Sequence, residues 1–105
     1  MLQTWIHRIK PEKEQRLRAW LEEMHARADA VRDSFAAAGV RAEQAFVISD
    51  GAGPLLVYVS EAADHAQAAR AYAASSLAID AEHRQVMDEC IERTLPDAPL
   101  FDVSA

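Results

Sequence analysis

The stretch LLVYVS, residues Leu55–Ser60, decides how this sequence folds. Its β-branched and aromatic residues are typical of a β-strand. Successive side chains of a strand point to opposite faces, so Leu55 and Val57 share one face and Tyr58 lies on the other. Both faces are apolar, whereas an antiparallel strand with one face in water alternates apolar and polar residues. The stretch therefore predicts a strand that is buried on both sides.

Two further segments carry the same two-faced pattern. AFVI, residues Ala45–Ile48, places Phe46 opposite Val47, and the first strand places Trp5 opposite Ile6. Leaving several large apolar side chains in water costs about 1.5–3 kcal/mol each. The chain has helices enough to cover one face, so we expect a second copy to cover the other. The pattern predicts a homodimer in which two sheets pack face to face.

Periodicity and turn residues define the remaining elements. Pro11 suits the first turn of a helix, Gly39 suits a helix end, and DGAGP joins two strands as a hairpin turn. Asp80 is placed to cap the last helix, and Pro96 follows the end of that helix. The predicted strands are Gln3–Ile9, Val40–Ser49, Leu55–Ser60 and the terminal PLFDVS, and the predicted helices are Glu12–Ala38, Ala62–Ala74 and Ala81 to about Thr94.

The order strand, helix, strand, strand, helix, strand indicates an α+β fold. It is the βαββαβ pattern of ferredoxin-like domains, with a four-stranded antiparallel sheet and helices on one face. We expect residues 1–105 to form a single domain, and two such sheets to pack as a dimeric α/β barrel.

Composition restricts the partners of the protein. A net charge of −6 without a basic cluster disfavours nucleic acid, because phosphates would be repelled. The sequence has neither a signal peptide nor an apolar run long enough for a membrane, and its single Cys90 fits a reducing compartment. We expect a cytoplasmic protein. Alanine-rich helices with nine Arg and two Lys indicate a GC-rich bacterial genome.

Several segments resemble a bacterial family of about this length that has no agreed function and belongs to the dimeric α/β-barrel superfamily. The matching segments, which span nearly the whole chain, are WIHRIKPEKEQRLRAWL at Trp5–Leu21, EQAFVI at Glu43–Ile48, LLVYV at Leu55–Val59, IDAEHRQVMDE at Ile79–Glu89 and the terminal LFDVSA. The resemblance implies the fold and the dimer.

A looser resemblance is to rhamnose mutarotases, which share the first strand, the Pro-started helix, the hairpin and the final L-F strand. That family uses a histidine on the first helix, and His25 lies in the corresponding region. It also uses a tryptophan pair, where this chain has His83 in DAEHRQVMD. The catalytic set of the mutarotases is therefore not reproduced. Cofactor-free monooxygenases share the barrel, but a fold does not carry a function.

His83 is the first candidate for a catalytic residue. Val86, Met87 and Cys90 follow it at helical spacing, so the imidazole shares a helix face with apolar side chains. A histidine in such a place can act as a general base or bind a substrate, or it can fill space beside a local carboxylate. Both interpretations stay open. Glu82 and Arg84 point away from this face and are predicted to be solvated.

Glu43 and Tyr58 are predicted to assist His83. Glu43 lies at the start of an apolar strand, where burial would raise the pKa of its carboxyl and suit proton transfer. The alternative is that Glu43 lies at a solvent-exposed strand end, where it reaches water or pairs with Arg41 or Arg8. Tyr58 combines an aromatic ring with a polar hydroxyl, as ligand sites often require, and it would suit a dimer interface equally well.

Substrate-binding roles are predicted for four more residues, each with a structural alternative. Trp5 suits a pocket or the dimer interface, and His7 shares its strand face. His25 borders the apolar stripe of the first helix, and Asp80 is more readily explained as a helix cap. His65 is expected to be exposed. The candidates in this group are Trp5, His7, His25 and Asp80.

The four histidines show no paired spacing of the kind that metal ligands require, and no glycine-rich phosphate loop precedes a helix. We expect neither a metal nor another cofactor. Two hypotheses remain. The first is a small-molecule-binding protein or cofactor-free enzyme with a pocket between sheet and helices, a sugar isomerase or mutarotase being its most concrete form. The second is a non-catalytic dimeric module.

Overall fold

Four antiparallel strands form one sheet in the computed structural model, which describes residues 1–105. The strands are β1 Leu2–Ile9, β2 Val40–Asp50, β3 Gly53–Ala62 and β4 Ile91–Leu95. The helices are α1 Glu14–Ala26, α2 Ala28–Ala38, α3 His65–Ala74 and α4 Ala78–Cys90, and a 3₁₀ turn at Pro11–Lys13 precedes α1. The α+β class and the antiparallel sheet predicted from the sequence are confirmed. No helix has the length and apolar character needed to cross a bilayer.

The strands lie in the order β2-β3-β1-β4, so β3 and β1 are the two inner strands. Residues paired across antiparallel strands point to the same face. Trp5 pairs with Tyr58, and Tyr58 pairs with Ala45 on its other side. Glu43 pairs with Ser60 on this same face. The register therefore places Trp5, Tyr58 and Glu43 together on one side of the sheet.

The helices pack on the face that carries these residues. The core cluster joins Ile9, Leu56 and Tyr58 of the sheet to six helical side chains, which are Leu17, Trp20, Met24, Ile79, Val86 and Cys90. All nine are buried. This layer is where apolar burial, at roughly 25 cal/mol per Å² of surface removed from water, stabilises the subunit.

The opposite face of the sheet carries no helix, and residues 97–102 lie beside part of it, at Thr4, Ile6 and Val59. Phe46 and Ile48 of β2 are 47% and 49% exposed. Ile6, Val57 and Val59 lie on the same face and are only partly buried. The apolar character predicted for both faces of LLVYVS is therefore present, but helices cover only one of them, and the other carries Arg8 beside its apolar side chains.

The prediction of one long helix from Glu12 to Ala38 is wrong, because the chain leaves the helical conformation at Arg27. The amide of Arg27 still donates to the carbonyls of Glu23 and Met24, and α2 begins at the next residue. Met24 and Val31 are seven residues apart, which is close to two helical turns. The apolar stripe therefore stays in phase across the break, and the sequence pattern does not reveal it.

The predicted terminal strand in PLFDVS is also wrong. The fourth strand is Ile91–Leu95, which pairs with β1, so α4 ends at Cys90 instead of near Thr94. Pro96 lacks the N–H that a further ladder bond would need, and residues 96–105 form no strand. The chain past Pro96 leaves Leu100 and Phe101 exposed.

Two helix starts differ from their predicted positions. β3 continues to Ala62, and α3 begins at His65 after Asp64, whose carboxylate accepts a hydrogen bond from the amide of Gln67 at 2.9 Å. α4 begins at Ala78, so Asp80 lies inside its first turn and is not the N-cap.

Asp80 connects three segments instead of capping a helix. Its buried carboxylate accepts hydrogen bonds from the hydroxyls of Ser34 and Ser75, both at 2.5 Å. Ser34 belongs to α2, and Ser75 belongs to the turn between α3 and α4. Hydrogen bonds to a charged group are stronger than neutral ones, so the bond from Ser34 holds α2 against α4 and the bond from Ser75 holds the turn before α4.

Replacement of Asp80 tests this connection. We expect Asp80→Ala to lower the free energy of unfolding by about 1.5–3 kcal/mol, because two hydroxyls lose their charged acceptor. Urea denaturation measures the change. Asp88→Ala, at an exposed position of the same helix, is the control and should change stability by less than about 0.5 kcal/mol. Equal stability of the two variants would contradict the connection.

Candidate functional site

His83 lies in an aromatic environment between the helices and the sheet. Its ring stacks on the indole of Trp20, with ring centroids 5.1 Å apart and an interplanar angle of 16°. Tyr72 and Tyr58 contact it edge-on, with centroid distances of 5.2 and 5.9 Å. These contacts hold the imidazole in one orientation and remove most of it from water.

A hydrogen bond joins His83 to the sheet. The hydroxyl of Tyr58 lies 3.1 Å from Nε2 of His83. Burial raises the pKa of the Tyr58 phenol, and Glu43 and Tyr72 raise it further, so the phenol keeps its proton. A protonated phenol donates to an imidazole nitrogen that carries no hydrogen. The pair can therefore relay a proton between a bound molecule and His83.

Burial keeps the imidazole neutral. It lowers the pKa of His83 from its usual 6.5 to about 4, although the carboxylate of Asp80 opposes the shift. Charge repulsion from His7 and Arg84 contributes to this lowering of the His83 pKa. At neutral pH His83 is therefore an uncharged ring that can accept a proton, as a general base must.

Trp20 is itself held by an ion pair. Its Nε1 donates to Glu82 Oε1 at 2.9 Å, and Arg27 Nη1 lies 3.0 and 3.1 Å from the two oxygens of Glu82. These bonds lower the pKa of the Glu82 carboxyl. The prediction that Glu82 is solvated is wrong, because it fixes the indole on which His83 stacks. The break between α1 and α2 places Arg27 where it reaches Glu82.

Arg84 also differs from its predicted solvated position. Its guanidinium donates to the carbonyls of Tyr72 and Ser75, at 2.7 and 3.1 Å. The same guanidinium lies over the ring of Tyr72, 5.4 Å from its centroid. Arg84 therefore fastens the end of α3 to α4 and fixes Tyr72 at the edge of His83.

Glu43 provides a second titratable group on the helix-covered face. Burial raises the pKa of its carboxyl, and the hydroxyl of Ser60 and the nearby His65 offset part of this shift. The alternative pairing with Arg8 is wrong, because Arg8 binds both oxygens of Asp50 at 3.0 Å, and the register places it on the face without helices. Glu43 therefore has a raised affinity for its proton, which suits an acid in proton transfer.

A cavity of about 260 Å³ brings these groups together. Trp5, Phe35, Tyr58 and Tyr72, four of the seven Phe, Trp and Tyr residues of the chain, line it. Its polar lining residues include Glu43, Ser60, His65 and His83. An apolar wall with a few converging polar groups is the usual form of a small-molecule site.

A second cavity of about 380 Å³ lies beside the first. Glu43, Tyr58 and His83 line this cavity as well, and α1 and α2 provide much of its remaining wall. His25 and Asp80 belong to it, together with Trp20 and Arg32.

The structure brings together six of the seven predicted site residues around these two cavities. The first cavity holds Trp5, and the second holds His25, which is exposed, and Asp80. His7 lines neither of them: its Nδ1 lies 2.9 Å from the hydroxyl of Thr94, and burial lowers its pKa. Its side chain is on the helix-covered face, which answers the question that the sequence left open.

His65 is buried, contrary to the prediction. Its Nε2 lies 2.8 Å from the carbonyl of Met1, and its ring contacts Trp5 edge-on at 5.8 Å. The partner carbonyl is 64 residues away in the chain, so no local sequence pattern predicts the contact.

Sequence reasoning missed Trp20 and Tyr72 as parts of the site. Trp20 belongs to the apolar stripe of α1 and lies in the core, a position that the sequence pattern explains without a site. Tyr72 lies in an alanine-rich helix, where a single large aromatic residue at the right spacing was a signal that it faces a neighbour. No group of three or more His, Cys, Asp or Glu side chains is arranged to hold a metal ion.

The fold and the cavities define an α+β protein with a neutral histidine in an aromatic pocket between sheet and helices. The chain belongs to a family of unknown function (DUF6176), whose model matches residues 2–102. Searches of curated proteins and of solved structures give no match.

The buried histidine makes stability depend on pH. The folded pKa of about 4 lies below the usual 6.5, so between these values the unfolded chain binds more protons. The contribution of His83 is complete above the unfolded pKa and is lost as pH falls toward the folded one. Relative to His83→Gln, the wild type should lose up to about 1.4 kcal/mol per pH unit in this interval.

Urea denaturation of both proteins at several pH values measures this difference, and the NMR titration of His83 gives its pKa directly. A His83 pKa near 6.5, or parallel pH profiles of the two proteins, would contradict the buried neutral state.

Proposed function

We propose that the protein binds a small molecule between sheet and helices and catalyses a cofactor-free proton transfer on it. The hydrogen bond between Tyr58 and a neutral His83 is the observation that carries this proposal. Glu43 lines the same cavities and has a raised pKa, so the site combines a base with a potential acid. Two groups of this kind, tuned in opposite directions by burial, are typical of acid–base catalysis at neutral pH.

The proposed proton transfers follow from the protonation states of His83 and Glu43. His83 takes a proton from a hydroxyl of the bound molecule, directly or through the hydroxyl of Tyr58. When its carboxyl is protonated, a form that burial favours, Glu43 gives a proton to a second oxygen of that molecule. An isomerisation ends with the proton count at which it began, so the reverse transfers restore both residues without an external oxidant or metal.

A sugar isomerisation of the mutarotase type is the concrete form that we propose. Opening a cyclic hemiacetal requires one proton to leave the anomeric hydroxyl and one to reach the ring oxygen. The rings of Trp20 and Tyr58 in the wall of the second cavity can contact the apolar face of a sugar ring. The site would differ from that of rhamnose mutarotases, because His83 replaces their tryptophan pair. A cofactor-free monooxygenase on the same barrel is an alternative, and a non-catalytic dimeric module is another.

We also propose that the protein is a ferredoxin-like homodimer whose two sheets pack as an α/β barrel in the cytoplasm. The strand order β2-β3-β1-β4 and the helices on one face support the domain type. The exposed apolar surface around Phe46 and Ile48 supports the dimer, because an identical surface on a second copy can cover it. The buried thiol of Cys90, which has no second cysteine to pair with, fits a reducing compartment.

Anomerisation of reducing monosaccharides, followed by NMR exchange measurements, tests the catalytic proposal. We expect the wild type to accelerate the exchange of at least one sugar and His83→Gln to reduce the rate about 10²–10⁴-fold, because the base is removed. Tyr58→Phe should also reduce the rate. Gln85→Ala, an exposed change on the same helix, is the control and should retain it.

A metabolite thermal-shift screen separates binding from structure. In an enzyme, His83→Gln abolishes a ligand-induced shift while the protein stays folded. If the wild type accelerated no sugar and no metabolite shifted its melting temperature, and if His83→Gln only lowered stability, the non-catalytic module would be the correct interpretation.

Light scattering tests the dimer. We expect twice the subunit mass at micromolar concentration, and we expect Phe46→Asp to give monomers, because a charge in the paired apolar faces is strongly unfavourable. Ala37→Asp, at an exposed position of α2, should leave the dimer intact. A stable wild-type monomer would refute the barrel.

A further inference from the structure

The two cavities have a common wall. Five residues line both of them: Ser34 and Phe35 of α2, Glu43 of β2, Tyr58 of β3 and His83 of α4. The three groups to which we assign proton transfer are all in this wall. Glu43, Tyr58 and His83 therefore lie where the two cavities meet.

The two spaces differ in chemistry. Beyond the common wall, the first cavity adds the rings of Trp5, Tyr72 and His65 and several alanines. Beyond the common wall, the second adds Arg32, His25 and Asp80, together with apolar side chains of α1 and α2. The first space suits a flat apolar group, and the second suits a group that makes several hydrogen bonds.

Neither space offers an unpaired Lys or Arg to an anionic ligand. Arg32 is paired with Asp29 at 2.8 Å, and the Asp80 carboxylate accepts from two serine hydroxyls. No Lys or Arg lines the first cavity. A carboxylate or phosphate would therefore enter without a counter-charge, which is costly in a partly buried site.

Incomplete packing of α2 is consistent with a ligand that occupies both cavities. α2 has no buried residue, although Val31 and Phe35 continue the apolar stripe of α1. Both side chains are only half-buried, and each lines at least one cavity. A ligand that filled the two spaces would complete the burial of this helix.

We propose that the two cavities form one binding site for an uncharged ligand in which a flat apolar group is joined to a hydroxyl-bearing group. The apolar group occupies the first cavity and the hydroxyl-bearing group the second. The atoms that react lie at the junction, next to His83, Tyr58 and Glu43. This inference rests on the proposed function and names the substrate class of that site.

Three probes test the two-part site. Phenol represents the flat group, methyl β-glucopyranoside the hydroxyl-bearing group, and phenyl β-glucopyranoside the two joined. Their affinities are measured by NMR titration, with the side-chain signals of His83 and Tyr58 as reporters. We expect phenyl β-glucopyranoside to bind at least about tenfold more tightly than either half, because the joined groups bind as one molecule.

Two matched variants each fill one of the cavities with an added aromatic ring. Ala69→Phe adds a ring to the first cavity and Ala45→Phe adds one to the second, and both positions are exposed to solvent, so the fold should tolerate them. Each variant should reduce the affinity for phenyl β-glucopyranoside to that of one half. Ala66→Phe, an exposed position of α3 that lines neither cavity, is the control.

Each outcome decides the inference. Equal affinities for phenol and phenyl β-glucopyranoside, or an unchanged affinity in either cavity variant, would refute the two-part site. If phenol alone still shifted the His83 signals in that case, the first cavity would remain a site for the small molecule of the proposed function. If no probe shifted those signals, the two-part site would be wrong, and the anomerisation assay would judge the proposed function independently.

Discussion

The sheet carries large apolar side chains on both faces, and its own helices cover only one of them. The covered face holds Leu56 and Tyr58 in the core, while Phe46 and Ile48 remain about half-exposed on the other face. Burial of the first face fixes the helices and, through them, the site. The second face has no helix over it. The hydrophobic effect that fixes the helices on the first face also underlies the dimer that we propose for the second.

Packing between the sheet and its helices is uneven, and the loosely packed part contains the candidate site. α1 and α4 bury their apolar side chains, whereas α2 buries none and lies over two cavities. Asp80 holds α2 through Ser34, and Arg27 holds Glu82 and Trp20 at the other end. Polar bonds thus position a helix that hydrophobic contacts hold only loosely, which leaves room for a ligand beneath it.

The aromatic packing around His83 has a chemical consequence. Stacking on Trp20 and contact with Tyr58 and Tyr72 remove the imidazole from water, and the desolvation outweighs the attraction of the nearby Asp80 for an imidazolium. Burial acts in the opposite direction on Glu43, whose charged form is the deprotonated one. One environment therefore favours the neutral forms of both a base and an acid.

The sequence by itself determined the α+β class, the strand at LLVYVS and the helix face on which His83 lies. These depend on the periods of helices and strands, which are local. Only the tertiary structure decided the break at Arg27, the fourth strand Ile91–Leu95, and the roles of Asp80 and His65. Each depends on a partner distant in the chain: Glu82 for Arg27, β1 for the last strand, Ser34 for Asp80 and Met1 for His65. A contact between residues far apart in sequence leaves no periodic trace, so it can be read only once the chain has folded.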